Sequence, residues 1–227
     1  MKKYEHLFFD LDNTILDFDY ASHHAFGAVL ESNKLPIGDS YHKYKKVNAM
    51  VWGEFERGEI SAFDLRAKRF DLFLEEMGWS GDGRAWNKMY LDRVIDFTKF
   101  IPGAKNMLNK LSGSYKIHIV TNGLKEVQRP RLKMAQLDPI LSSITVSDEI
   151  GSAKPQGEFF KVAKENAKIE ANDAILMIGD SYNSDIKGAY DYGIDSCWLN
   201  RKNESNPTQM HTYEIRQISE LKASIKL

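Results

Sequence analysis

The sequence has a single cysteine, Cys197, among its 227 residues. This excludes an intrachain disulfide and is typical of a protein in a reducing compartment. The net charge is only −1, so no strong overall field draws the chain to a nucleic acid polymer or a membrane surface. No apolar run approaches the roughly 18 residues that cross a bilayer, and no segment resembles a signal peptide. We expect a cytoplasmic protein, either a monomer or a homodimer.

Short apolar segments rich in isoleucine and valine alternate with helical patterns through most of the chain. We predict strands at 7–9, 115–120, 144–146, 174–178 and 196–199, with a weaker strand at 212–215. The helical patterns lie at 103–111, 124–136, 156–167 and 183–192. In the second of these, the apolar side is expected to contain Leu124, Val127, Leu132 and Met134. This alternation predicts an α/β fold, with helices on both faces of an open, parallel, Rossmann-like sheet.

The first connection between predicted strands is much longer than the others. It runs for 111 residues from Asp10 to Thr121, whereas a strand–helix–strand unit needs only about 30. The surplus has helical patterns at 19–32, 39–57, 61–77 and 83–97, and Ser61 with Asp64 forms a capping-box-like helix start. We therefore predict an all-helical cap domain over residues 17–97. It is inserted into an α/β core that consists of residues 1–16 and 98–227.

Polar side chains follow three of the predicted strands. They are Asp10 and Asp12 after the first strand, Thr121 and Asn122 after the second, and Asp180 and Asp185 after the fourth. Lys154 stands between the last two groups, just before a helix. Because the carboxyl ends of parallel strands share one edge of a sheet, we expect these side chains to meet in one crevice. The carboxylates outnumber the lysine and no histidine has metal-ligand spacing, so the pattern predicts Mg²⁺.

Each of these segments has a simpler interpretation when it is taken alone. Asp12 and Thr121 could each begin an ordinary polar turn after a strand. Lys154 could lie in a solvated loop, and Asp180 with Asp185 could be a helix start and a surface charge. Their occurrence together at the predicted strand ends favours a single site.

The chain resembles the haloacid dehalogenase superfamily over essentially its full length, with an inserted helical cap of the C1 type. The resemblance rests on DLDNT at 10–14, TNG at 121–123, KP at 154–155 and GDSYNSD at 179–185. It implies that Asp10 is a nucleophile that forms an aspartyl-phosphate and that Asp12 is the acid and base. The phosphoryl-binding residues that it implies are Thr121, Asn122 and Lys154. The Mg²⁺ ligands that it implies are Asp10, the main-chain carbonyl of Asp12, and Asp180, with Asp185 in support.

Asp12 distinguishes between reactions within this superfamily. A halide leaves without a proton, whereas an alkoxide needs one, so an acid at position 12 favours phosphoryl transfer over dehalogenation. We therefore predict a Mg²⁺-dependent phosphomonoester hydrolase. Two alternatives stay open: a sugar-phosphate phosphatase or phosphomutase with the same core, and a non-catalytic receiver that is phosphorylated on Asp10.

The cap sequence is also similar to that of bacterial pyrimidine 5′-nucleotidases, from Tyr44 to Gly58 and again at Arg69. This similarity implies a small phosphomonoester substrate, namely a nucleotide such as dUMP, UMP or dTMP. The candidates for substrate contacts are Phe18, Trp52 and Arg69. Packing within the cap is the simpler expectation for Trp52, and a solvated helix face is the simpler expectation for Arg69.

Overall fold

The computed structural model describes residues 4–170, 175–206 and 208–221. The strands are β1 (His6–Phe9), β2 (Lys116–Thr121), β3 (Leu141–Val146), β4 (Ile175–Gly179), β5 (Asp195–Leu199) and β6 (Tyr213–Ile215). They pair in parallel in the order β3–β2–β1–β4–β5–β6. The predicted open parallel sheet is confirmed. The strand β3 begins three residues before its predicted start, and the predicted strand residue Ala174 lies outside the described residues.

The predicted insert in the first connection, residues 17–97, folds into four helices, as predicted. They are α1 (Phe18–Ser32), α2 (Ser40–Glu56), α3 (Ala62–Met77) and α4 (Gly83–Asp96). The capping box at the start of α3 is formed, because the Ser61 hydroxyl accepts from the Asp64 backbone while the Asp64 carboxylate accepts from the Ser61 backbone. Buried aromatic rings of the four helices pack into a separate apolar core, which stabilises the cap.

The remaining helices cover both faces of the sheet. They are α5 (Ala104–Leu111), α6 (Lys125–Met134), α7 (Ser147–Ile150), α8 (Gly157–Asn166) and α9 (Gly188–Tyr192). Leu7 and Phe9 of β1 pack with α5 and α6 on one face, while Phe8 packs with α8 and α9 on the other. This follows from the alternation of side chains along a strand, and it gives the sheet an apolar layer on each side.

The segment predicted as one helix at 183–192 has two parts. A π-helical turn covers Tyr182–Lys187, and α9 follows it. The wide turn brings Asp185 into the interior, where its carboxylate accepts a hydrogen bond from the Ser181 backbone at 3.1 Å. A regular 3.6-residue pattern does not anticipate this turn, and π-turns often occur at functional sites.

The cap joins the core through two adjacent linkers that are bonded to each other. The backbone N–H of Asp17 donates to Lys99 O at 2.8 Å, and that of Ile101 donates to Ile15 O at 2.9 Å. The helical insert thus leaves and re-enters the core at one place. The domain limits at 16/17 and 97/98 stay a prediction.

None of the helices in the described part of the chain is long and apolar enough to cross a membrane. The cytoplasmic location and the oligomeric state stay predictions.

Two neighbouring strands bury a pair of histidines that predicts an acid-sensitive fold. His6 Nδ1 lies 3.0 Å from His118 Nε2, and His118 Nδ1 lies 2.7 Å from Ser143 Oγ. Burial, together with His6 and Lys116, lowers the pKa of His118 to about 4. In the unfolded chain His118 is therefore protonated below about pH 6.5, whereas in the folded protein it stays neutral down to about pH 4. The contribution of neutral His118 to the free energy of unfolding is therefore complete above about pH 6.5, and it is lost as the pH falls from 6.5 to 4.

We expect His118→Gln to remove much of this pH dependence, because the amide keeps polar contacts and does not titrate. Between pH 6.5 and pH 5 the unfolding free energy of the variant should fall by up to about 2 kcal/mol less than that of the wild type. Urea denaturation at the two pH values measures the difference. Equal losses in the two proteins would contradict the assignment of the acid sensitivity to His118.

Candidate active site

The predicted catalytic residues meet at the carboxyl edge of the sheet. The strand order reverses beside β1, which has β2 on one side and β4 on the other. Ligands bind at such a switch point in open α/β sheets. A cavity of about 260 Å³ lies there, and Asp10, Asp12, Thr121, Lys154 and Asp180 line it. Residues of the cap also line the cavity and form a cap wall that consists of Phe18, Asn48, Trp52, Glu56, Arg69 and Leu91.

The Lys154 side chain occupies the centre of the site. Its ammonium donates to Asp10 Oδ1 at 2.7 Å, to Asp185 Oδ1 at 2.6 Å and to Val120 O at 2.8 Å. The side chain is 1% exposed, so all its donors are directed at protein atoms. Burial alone lowers the pKa of Lys154, but Asp10 and Asp185 outweigh it and raise this pKa above its ordinary value. Lys154 is therefore a fixed positive charge beside Asp10.

Three carboxylates converge beside this lysine. Oxygen atoms of Asp10, Asp180 and Asp185 lie within 4.8 Å of one another. Burial raises the pKa of Asp10 well above its ordinary value despite the opposing effect of Lys154. Burial, with Asp185 adding to it, raises the pKa of Asp180 to about 7. A buried set of carboxylate oxygens with too little positive charge fits a hard divalent cation such as Mg²⁺.

The ligand set differs in one respect from the expectation. The clustered side chains include Asp185 but not that of Asp12, which turns away toward α6. This arrangement agrees with a role for Asp12 through its main-chain carbonyl. The individual ligand roles of Asp10, Asp12 and Asp180, and the supporting role of Asp185, stay predictions.

A glycine makes room for Asp185 in the site. A Cβ atom on Gly179 would lie 2.1 Å from Asp185 Oδ2 and 2.7 Å from the Cβ of Asp185. The position directly before Asp180 therefore has to be glycine for Asp185 to reach Lys154.

Thr121 and Asn122 have different environments after β2. The Thr121 hydroxyl oxygen accepts from Gln128 Nε2 at 2.9 Å and from Gly123 N at 3.2 Å. Its own hydrogen is then available to an oxygen atom in the cavity. The Asn122 side chain instead fixes the Lys154 loop, because it accepts from Lys154 N and donates to Lys154 O, both at 2.8 Å. The side chain of Asn122 is therefore occupied, and the predicted contact of Asn122 with a phosphoryl group would have to come from its backbone N–H.

Two residues that the sequence analysis did not single out hold the Asp12 carboxylate. Gln128 Nε2 donates to Asp12 Oδ2 at 2.6 Å, and Arg131 Nη1 donates to Asp12 Oδ1 at 2.5 Å. Both residues are buried on α6. Their spacing of three residues, soon after Thr121 on a predicted helix, is the signal that could have identified them. Met134, which was expected on this buried side, is 52% exposed.

The three cap candidates all line the cavity. Phe18 and Trp52 are partly buried, and Trp52 also packs edge-to-face on Phe55. The expectation of a solvated face for Arg69 is wrong, because Arg69 is 1% exposed. Its helix α3 packs against both α2 and α4, which turns this position to the inside of the cap.

Arg69 is held by uncharged groups. It donates to Asn87 Oδ1 from Nε at 3.0 Å and to Asn48 Oδ1 from Nη1 at 3.1 Å, and it lies 5.2 Å from the ring centroid of Tyr90. In the described part of the chain no carboxylate pairs with it. A buried guanidinium at the cavity wall, with amide and aromatic partners only, can bind an oxygen acceptor on a ligand.

A cap carboxylate also reaches the site. Glu56 ends α2, lines the cavity, and accepts from Asn122 Nδ2 at 3.1 Å. Its backbone oxygen accepts from Gln156 Nε2 at 3.2 Å. Burial raises the pKa of Glu56 above its ordinary value. No pattern in the sequence indicates this contact, because it depends on how the cap docks.

The titration of Asp180 predicts that Mg²⁺ binding weakens in acid. Below about pH 7, Asp180 holds a proton that the cation must displace, and above that pH it does not. We expect the Kd for Mg²⁺ to rise by up to about tenfold for each pH unit below 7. Calorimetric titration without substrate at pH 8, 7 and 6 measures this. Asp180→Asn should bind weakly at every pH, and a wild-type Kd that is constant across the range would be incompatible with the prediction.

The similarities to known proteins extend over cap and core. Residues 7–199 match the family model of haloacid dehalogenase-like hydrolases. The chain is 35% identical to YfnB of Bacillus subtilis (strain 168), over 97% of this chain and 95% of YfnB. A crystal structure of YfnB bound to magnesium has a TM-score of 0.90, at 34% identity and with 98% of each chain covered.

Two further relatives are described as pyrimidine 5′-nucleotidases. YjjG of Escherichia coli (strain K12) is 29% identical over 96% of both chains. PynA of Streptococcus pneumoniae is 30% identical over 96% of this chain and 93% of PynA. The four sequence motifs, the fold and the matched length agree, and the chain belongs to the haloacid dehalogenase-like hydrolase family.

Proposed function

We propose that this hydrolase is a Mg²⁺-dependent phosphomonoesterase that acts on nucleoside 5′-monophosphates and prefers pyrimidine bases. The observation that carries the proposal is that one cavity holds Asp10, bonded to Lys154 at 2.7 Å, together with Asp12 as a second carboxylate. A carboxylate nucleophile needs a neighbouring positive charge, which Lys154 provides. A leaving alkoxide needs a proton donor, which Asp12 provides.

In the first step an oxygen of Asp10 attacks phosphorus, and the bond between phosphorus and the ester oxygen breaks. Lys154 holds Oδ1 of Asp10 and leaves Oδ2 free to attack. Asp12, which carries a proton at this step, gives it to the leaving oxygen, and that oxygen departs as an alcohol. The Asp12 carboxylate that remains is held by Gln128 and Arg131. Thr121 donates its free hydroxyl hydrogen to a phosphoryl oxygen, and Lys154 offsets the charge on the transferring group.

In the second step water attacks the aspartyl-phosphate on Asp10. Asp12 takes the proton of that water, phosphate leaves, and Asp10 regains its carboxylate. Asp10, the main-chain carbonyl of Asp12 and Asp180 would hold Mg²⁺, which supplies positive charge to the phosphoryl oxygens when bound. The magnesium in the YfnB structure supports this cofactor.

The cap wall of the cavity supports a nucleotide as the substrate. Phe18, Trp52 and Leu91 offer apolar and aromatic surface in the cavity that holds the catalytic carboxylates. Arg69 and Asn48 add polar contacts at the same wall. A base can stack on the aromatic surface and place its carbonyl oxygens toward the guanidinium of Arg69. The names of YjjG and PynA agree with a pyrimidine nucleotide as the substrate.

Phosphate release from a panel of substrates tests the proposal. The panel contains UMP, dUMP, dTMP, CMP, AMP, a hexose phosphate and an organic-acid phosphate, each with Mg²⁺. We expect the highest kcat/KM with the pyrimidine nucleotides. Asp10→Asn should lose at least about 1,000-fold with every substrate because the nucleophile is gone. Asp191→Asn, at an exposed surface pair, is the matched control.

The outcomes of this panel separate the alternatives. Equal rates on all phosphates would leave a phosphatase and remove the nucleotide preference. Transfer of the phosphoryl group to a second sugar would identify a phosphomutase. A phosphoprotein that lasts for minutes after treatment with acetyl phosphate, with no phosphate release from any ester, would identify a receiver.

The position of Arg69 predicts that its substitution lowers kcat/KM selectively for nucleotide substrates. Arg69→Met removes the guanidinium from the cap wall. It breaks no bond to a catalytic carboxylate, because Arg69 donates to Asn87 and Asn48. We expect kcat/KM for UMP to fall roughly 10- to 100-fold while that for a small organic-acid phosphate changes little. Arg84→Met, on the exposed side of the same cap, should leave both values unchanged. An equal loss on both substrates would assign Arg69 to cap stability alone.

A further inference from the structure

The helix α6 directs two buried polar side chains at Asp12. Arg131 Nη1 lies 2.5 Å from Asp12 Oδ1, and Gln128 Nε2 lies 2.6 Å from Asp12 Oδ2. The two residues are also joined to each other, since Arg131 Nη1 donates to Gln128 Oε1 at 2.8 Å. Both oxygens of the Asp12 carboxylate therefore have a fixed donor.

The burial of Arg131 is difficult to explain by stability. Its side chain is 0% exposed. In the described part of the chain its Nε and Nη2 atoms have no hydrogen-bond partner, although the guanidinium carbon lies 5.6 Å from the ring centroid of Phe18. A buried donor without a partner costs about 1–3 kcal/mol, and an apolar residue at such a position is often more stable. The contact of Arg131 with a charged partner in the described part of the chain is the one to Asp12.

A glycine keeps the space that this arrangement needs. A Cβ atom on Gly123 would lie 2.0 Å from Gln128 Nε2 and 2.6 Å from Gln128 Cγ. Gln128 can therefore reach Asp12 and the Thr121 hydroxyl together only because residue 123 is glycine. Through Gln128 the position of Asp12 is linked to that of a phosphoryl-binding residue.

We propose that Gln128 and Arg131 are positioning residues that fix the Asp12 carboxyl group for proton transfer to the leaving oxygen and from the attacking water. The proposal rests on the phosphomonoesterase activity proposed above. Proton transfer requires the carboxyl oxygen within hydrogen-bond reach of the ester oxygen, and a misplacement of about 1 Å costs up to about 100-fold in rate. Among the described residues, neither Gln128 nor Arg131 has a hydrogen bond to Asp10. Arg131 therefore acts through Asp12, and Gln128 acts through Asp12 and Thr121.

The test compares two leaving groups. An alkyl phosphate such as UMP needs a proton on its leaving oxygen, whereas p-nitrophenyl phosphate releases a stable phenolate without one. The ratio kcat/KM covers the steps up to the departure of the leaving group. For Arg131→Met we expect kcat/KM to fall about 100-fold with UMP and less than about threefold with p-nitrophenyl phosphate. Arg131→Lys, which keeps a donor and a charge, should recover part of the loss.

Two further variants make the result independent of the folding of Arg131→Met. Gln128→Met removes the second, uncharged donor to Asp12 together with the bond to Thr121. It should therefore lose some activity with both phosphates and clearly more with the alkyl phosphate. Arg129→Met, on the exposed side of the same helix where Arg129 pairs with Glu149, is the matched control and should behave as the wild type. Thermal unfolding of each variant separates a loss of folded protein from a loss of proton transfer.

A double-mutant cycle with Asp12→Asn completes the test. If Arg131 acts through Asp12, adding Arg131→Met to Asp12→Asn should cause almost no further loss with UMP. Equal losses on both phosphates, or a full additional loss in the Asp12→Asn background, would overturn the positioning role. A wild-type protein that is inactive on both phosphates would instead overturn the proposed phosphomonoesterase activity.

Discussion

The buried ammonium of Lys154 is the interaction on which the site depends. Its three donors connect the carboxylate of Asp10 after β1, the carbonyl of Val120 in β2 and the carboxylate of Asp185 on the π-turn after β4. These groups come from segments far apart in the sequence. A single desolvated cation thus fixes their relative positions, and it keeps a negative charge where an isolated carboxylate could not remain.

The charged side chains of the site fall into two groups. Asp12 is paired with Arg131 and stands apart from the other acids. Asp10, Asp180 and Asp185 share the one charge of Lys154, which leaves two negative charges in excess. A divalent cation compensates this excess, whereas the charge of Asp12 is compensated by Arg131. The structure thereby assigns different electrostatic environments to two aspartates that are two residues apart.

The sequence predicts those features that depend on local pattern. Short apolar segments ending in Asp10, Thr121 and Asp180 predict both the strands and their convergence, because parallel strands leave few alternatives. Features that depend on packing between distant segments are missed. Met134, which was expected on the apolar side of α6, is exposed, whereas Arg131 is buried because it pairs with the carboxylate of Asp12, far away in sequence. Arg69 is buried for a similar reason, as its partners Asn48 and Asn87 lie on two other helices.

The paired linkers of the cap have a consequence for how such proteins diversify. Because the chain leaves the core near Ile15 and returns near Ile101 through hydrogen bonds between the linkers themselves, the ends of the insert are fixed independently of its contents. Loop-closure entropy changes slowly with length, so inserts of different size can occupy the same attachment point. The reaction chemistry remains in the core while the insert is exchanged. The architecture thus allows new substrate ranges to be acquired by replacement of one contiguous segment.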